Sequence, residues 1–375
     1  MKMKVIINTS LVPFTLLGAQ VARAAPTIEL AQEEREPSPP RTQLGGYAAT
    51  ELVAPADGPA SFDAHHLVMS LAAQPHPRAR FAAEVEWEHG GTPVREGRAD
   101  LPGEVRVEQA TADLRLREGV WARAGVLLMP IGRYNLEHEA PAHDLTERPL
   151  VERFVIPSTW SEVGAGVVVS ATLGRTLVDA QLVAVNGLDG PPVDGAGLRD
   201  VRGSLAEDVD ANKGVAGRVE ARSGALRVGL AGYGGAVDVG RFFALGAADA
   251  SWRWRALRVE GELAGGALDG SLALGGGMVE LGAGLPLTKL GVEAEDLQDA
   301  ELRFTGRLGF VDTDPNARTA GDRARLALGA ALRLGDGVVW KNELVTEADA
   351  RSGVLRSPWQ AGARARYVGS VAVLF

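Results

Sequence analysis

The sequence predicts an all-β chain closed into a transmembrane antiparallel β-barrel of sixteen strands, and three observations carry that prediction. From Leu44 onward apolar and polar residues alternate with period two, with no sustained helical period. The connections between alternating segments are in turn short and long. No apolar stretch reaches the ~20 residues of a membrane-spanning helix. The composition agrees: among 375 residues there are 47 Gly and no Cys, which excludes a disulfide scaffold. A formal charge of −9 argues against a nucleic-acid partner held by a general basic surface.

Taken in chain order, Lys2 and Lys4, the apolar run Val5 to Leu17 and Ala22-Arg23-Ala24 match the three regions of a secretory signal peptide, expected to span 1–24. The other reading of this run is a buried N-terminal strand. Removing 1–24 takes away three bases, Lys2, Lys4 and Arg23, and no acid. The mature chain then has 36 basic and 48 acidic residues, a net −12. Residues 25–42, rich in Glu and Pro between Pro26 and Pro40, read as a disordered periplasmic lead-in, and 43–375 as the barrel.

The alternation is clearest where Ala79, Phe81, Ala83, Val85 and Trp87 oppose Arg80, Glu84, Glu86 and Glu88. It returns at 300–311, 322–334 and 358–375. The apolar faces are mostly Ala, Val, Leu and Gly and carry no charge, with Trp87, Trp252, Trp254, Trp340 and Trp359 near strand ends. A soluble sandwich alternates too, but its oily side is a close-packed core; this distribution suits a lipid-facing band edged by aromatic girdles. Short links at 74–77, 118–119, 174–175, 223–224, 255–256 and 335–337 read as periplasmic turns. Links at 53–63, 89–108, 130–163, 187–212, 269–276, 312–321 and 348–357 read as long external loops, apart from a brief one at 236–240. The segment 287–299 is expected to be a longer periplasmic linker, because a seventeenth strand there would place 312–321 on the wrong side. In hydrocarbon every backbone polar group must be paired, so such a chain must close its sheet, and sixteen strands leave room for an aqueous channel.

The runs Glu84 to Gly91, Glu108-Gln109-Ala110, Arg123 to Gly132 and Ile156 to Gly164 resemble outer-membrane porins of the phosphate-selective O and P type. The most specific part is the strand ending in Pro130-x-Gly132, then a long loop, then a Pro-Thr-Trp-like entry at Pro157 to Trp160. Outside Glu84 to Val167 only the alternation carries over. The resemblance implies a homotrimeric sixteen-stranded diffusion channel in the outer membrane of a Gram-negative bacterium, with its third loop folded into the lumen and no cofactor. The chain departs from phosphate-specific members in having Lys only at 2, 4, 213, 289 and 341. Phe375, on one face with Val373 and Tyr367, is similar to the C-terminal signal read by the barrel-assembly machinery, with Ser370 where a glycine is often found.

Loop 130–163 is therefore the expected constriction, with Arg133, Arg148 and Arg153 set among Glu137, Glu139 and Asp144, beside His138 and His143. Opposed charges there would make a transverse field that sorts polar solutes; the plainer reading is that they pin the loop to the wall. Arg115, Arg117, Arg123, Arg218, Arg222, Arg227, Arg303 and Arg307 are expected to line the pore, where inward bases outnumber inward acids. A three-residue turn at 118–120 would set Arg115 opposite Arg123. The expected cargo is small hydrophilic solutes, with a weak preference for anions.

Competing readings are weaker. His138-Glu139 and His143 lack the i, i+4 histidine spacing of a helical zinc motif, and Pro141 disfavours a helix, so no metal site is expected there. Ser158 or Ser161 with a histidine would be needed for an outer-membrane hydrolase, and no catalytic residue is assigned. A barrel filled by its own charges, structural and non-conducting, is the main competitor. A carrier of apolar solutes would need an aromatic lumen, and a propeller a blade repeat.

Overall fold

A computed structural model describes residues 41–91, 103–193, 195–203, 205–206, 211–315, 322–349 and 364–375. Both segments preceding the barrel, apart from Arg41 and Thr42, lie outside the described residues, as does Trp359.

Sixteen strands follow one another: β1 (Arg41–Pro55), β2 (Ser61–His76), β3 (Ala79–Glu88), β4 (Glu104–Arg117), β5 (Val120–Leu128), β6 (Ser161–Leu173), β7 (Thr176–Val185) and β8 (Gly214–Ser223). The second half comprises β9 (Leu226–Asp238), β10 (Arg241–Trp254), β11 (Leu257–Leu268), β12 (Ser271–Pro286), β13 (Ala300–Asp312), β14 (Arg323–Leu334), β15 (Val338–Asp349) and β16 (Arg364–Leu374). Each pairs antiparallel with its sequence neighbours, and β1 pairs with β16, so the sheet is a closed barrel as the alternation predicts. Closure leaves no sheet edge. Segment 287–299 is two 3₁₀ turns and no strand.

The register puts the charged face inward. Among the described residues, away from strand ends, no Asp, Glu, Lys or Arg shares the outward face, on which Leu67, Leu114, Leu182, Leu230, Leu281, Leu328 and Leu344 are exposed. Trp252 and Trp254 stack on that face near a strand end, ring centroids 6.3 Å apart. This is the chemistry of a lipid-facing wall. No helix among the described residues is long and apolar enough to cross a membrane.

Three sequence expectations are corrected. The link expected at 269–276 is the two-residue turn Asp269–Gly270, and the one at 53–63 shrinks to 56–60, because the strands extend beyond the clear alternation. Strand β4 begins at Glu104, and a register shift between Glu84 and Val85 brings Glu108 onto the wall. Arg115 does not face Arg123: the turn has two residues, a bulge lies between Arg115 and Arg117, and Arg123 pairs with Asp113 while Arg115 pairs with Trp121.

Candidate functional site

The loop between β5 and β6 folds into the barrel. It starts at Met129, where Gly132 takes φ 73 with Glu152 and Glu262 oxygens 2.6 and 2.8 Å from where a Cβ would stand, so neither a side chain nor an ordinary φ fits. It continues through α1 (Arg133–Leu136), a 3₁₀ turn at Ala140–Ala142 and α2 (Leu150–Phe154). Ile131, Val151, Ile156 and Trp160 are fully buried against inward Val183, Phe243, Leu274 and Val311. The described part of a second loop, between β7 and β8, reaches α2: Leu198 N–H donates to the Phe154 carbonyl at 3.0 Å, and Leu188 and Leu198 are buried in the same cluster. The sequence reading expects polar inward faces and misses this apolar plug. Its trace in the sequence is the unbroken runs Leu182 to Val185 and Phe242 to Leu245, apolar on both faces where the other strands alternate.

Salt bridges fix the first half of the loop, from Arg133 to Glu147, to the wall. Arg133 meets Glu260 and reaches Glu137 at 3.0 Å, while Glu137 also meets Arg227. Asp144 accepts from Arg258 at 3.0 Å and Arg333 at 2.7 Å. Glu147 accepts from Arg366 at 2.6 Å, and Arg307 donates to its carbonyl at 2.6 Å. Glu343 of β15 accepts the Thr146 and Glu147 amides at 2.7 and 3.0 Å. Burial alone would raise the Asp144 and Glu147 pKa values, but Arg333 and Arg258 around the first, and Arg325 and Arg366 around the second, hold both below the usual carboxylate range. Glu152 behaves oppositely: burial, then the neighbouring Glu262 carboxylate, pushes it well above that range.

The predicted site residues fall into three groups. Arg123, Arg218, Arg222 and Arg227 line one cavity of about 190 Å³ with Glu137. Its walls carry five arginines, counting Arg80, against four carboxylates, Asp113, Glu137, Asp179 and Glu220. Arg303 borders a second cavity, of about 170 Å³, with Arg253, Arg255 and Arg258 against Asp144 and Glu301. The remainder lie apart. Arg307 is buried under the loop, Arg117 is exposed beside a turn, Arg115 lies 6.0 Å from the Trp121 ring, Arg148 donates to the Ser158 carbonyl at 2.9 Å and Arg153 is exposed. His138 and Glu139 are buried against β3 and β4. There His138 Nε2 lies 3.1 Å from Glu108 Oε2, a partner that sequence reading misses because the bulge decides which way Glu108 points.

No family model matches the chain. An uncharacterized protein of Aquifex aeolicus (strain VF5) is 31% identical over 183 residues, 47% of this chain and 40% of that protein, so the match spans about two fifths of the relative's length. Among solved structures, an anion-selective porin from Comamonas acidovorans matches with TM-score 0.58 and 12% identity, over 90% of this chain and 100% of that one. Salmonella typhi OmpF in complex with daunomycin matches with TM-score 0.55 and 11% identity, over 89% and 97%. The outer-membrane channel DcaP of Acinetobacter baumannii matches with TM-score 0.54 and 9% identity, over 90% and 98%. The fold is that of outer-membrane porins. At these identities the likeness is one of fold, and the phosphate-selective type is not singled out among the matches.

Proposed function

We propose that the chain is an outer-membrane porin of a Gram-negative bacterium, passing small hydrophilic solutes by passive diffusion past the inward loop with a weak preference for anions. The observation that carries this reading is the pair of arginine-rich cavities beside the loop, five arginines to four carboxylates in one and four to two in the other. Water-facing cations in excess attract anions, and carboxylates between them keep the preference small. An anion-selective porin shares the fold, which agrees with this sign. Homotrimeric assembly accompanies the reading; one solved neighbour, OmpT of Vibrio cholerae, has a trimer form.

The apolar plug favours a second reading, a structural barrel that does not conduct. Purified protein in a planar bilayer separates them: stepwise conductance supports the channel, and its absence from barrels shown to be folded by heat-modifiable migration supports the plug.

A further inference from the structure

Where the loop meets β3 and β4 the barrel buries a second kind of chemistry. Glu84 of β3, Glu108 of β4 and His138 of the loop are each at least nine-tenths buried, and one ligand atom from each lies within 4.8 Å of the other two. The His138 ring is held in one orientation: its Nδ1 lies 3.0 Å from the Asn135 carbonyl, which can only accept, so Nδ1 carries a proton and Nε2 faces the carboxylates. Glu84 Oε2 accepts from Gln109 Nε2 at 2.8 Å, an outer contact that orients this carboxylate.

The acids outnumber the donors available to them. Glu108 is fully buried, its Oε1 accepts no hydrogen bond from any N–H, and its carboxyl lies against that of Glu86. Glu139, next to His138 and also buried, has Oε2 without a hydrogen-bond partner. Arg148 acts on Glu86 and Glu108 from a distance, its guanidinium engaged by the Ser158 carbonyl. Carboxylates left unpaired in such a place need a proton or a cation between them.

We propose that Glu84, Glu108 and His138 bind one divalent transition-metal ion, which clips the inward loop to the β3–β4 wall. One imidazole nitrogen with carboxylate oxygens suits Zn²⁺, Co²⁺ or Mn²⁺ better than Ca²⁺, which takes oxygen alone, or a thiolate-seeking metal. Ligand atoms around an ion at about 2.1 Å stand about 3.4 Å apart in tetrahedral geometry, and His138 Nε2 and Glu108 Oε2 are already 3.1 Å apart. A second group, buried His66 and Glu86 with the half-buried Glu88, also brings three ligand atoms within 4.8 Å of one another, and its Glu86 lies against Glu108.

The test uses the whole folded barrel in detergent, stripped with chelator and checked by heat-modifiable migration. Titration with Zn²⁺ is expected to leave at least one equivalent bound per chain after gel filtration. Co²⁺ is expected to give a visible absorption band. Glu108→Gln and His138→Gln should weaken Zn²⁺ binding at least about tenfold and abolish the Co²⁺ band. Should either variant not fold, Glu84→Gln, which keeps a polar group for Gln109, gives the same reading. Folded wild-type protein that retains no Zn²⁺ would overturn the proposal, showing that protons alone fill the cluster; so would folded variants that bind as well as wild type.

Discussion

Arg218 shows how a single residue sets the character of the inner wall. Its guanidinium reaches both oxygens of Asp249 at 2.6 and 2.9 Å and Glu220 at 3.0 Å, with all three groups nearly buried. The register puts Glu220, Gly229 and Asp249 in one row across β8, β9 and β10, so the fork must lie over Gly229. A Cβ there would stand 2.1 Å from Arg218 Nη2, which makes glycine a requirement of the ion pair and not only of the strand. Removing Arg218 strands the buried Asp249 and leaves Glu220 to Arg222 and Arg227. Arg218→Ala is expected to cost about 3 kcal/mol, read as a lowered urea midpoint by tryptophan fluorescence. Arg218→Lys should recover part of it, because charge returns without the two-pronged geometry. An unchanged midpoint for the alanine variant would mean that water in the lumen already solvates these acids.

At the scale of elements, what the sequence made legible follows from periodicity. The sixteen strands and the loop opening at Pro130 and Gly132 are local patterns, and the body of each strand is found where the alternation places it. Strand ends, the Arg115 register and the Glu108 bulge are decided by pairing across the sheet, which no local pattern records. The wall partners of Glu137, Asp144 and Glu147 lie 90 or more residues away, so sequence shows charged groups but not that loop and wall are joined. The loop's own carboxylates then predict its response to pH. Asp144 and Glu147 have depressed pKa values, so their contribution is present above the ordinary carboxylate range of about 4 and is lost as pH falls through their folded values. Glu152 is raised, so its contribution is complete below that range and is lost as pH rises toward its folded value. Glu152→Gln, which cannot ionise, should therefore gain thermal stability over wild type progressively from pH 5 to 9 and not at pH 4. Circular dichroism melts of the two proteins across that range check this; curves that stay parallel would show that Glu152 is already relieved by water.

Across the whole molecule the chain confines its charge. Among the described residues the outward wall is uncharged away from the strand ends, while arginines and carboxylates converge on the lumen in linked rows, from Arg222 and Asp179 through Glu220 and Arg227 to Glu137 on the loop. Because these arginines are paired, the field along the wall is a small difference between large opposed charges. Selectivity should then be weak and easily reversed. Taking away Arg222 and Arg227 together leaves three arginines, Arg80, Arg123 and Arg218, against the four carboxylates of the cavity, and takes from Asp179 its arginine partner. Under a salt gradient, wild type is expected to give a reversal potential of weak anion sign, the Arg222→Ala/Arg227→Ala variant one of cation sign, and Asp179→Asn a stronger anion preference. Opposite shifts from the two variants would place this row on the permeation path. A conducting barrel whose reversal potential ignores both would place the path elsewhere, with the long loops at the mouth setting the sign.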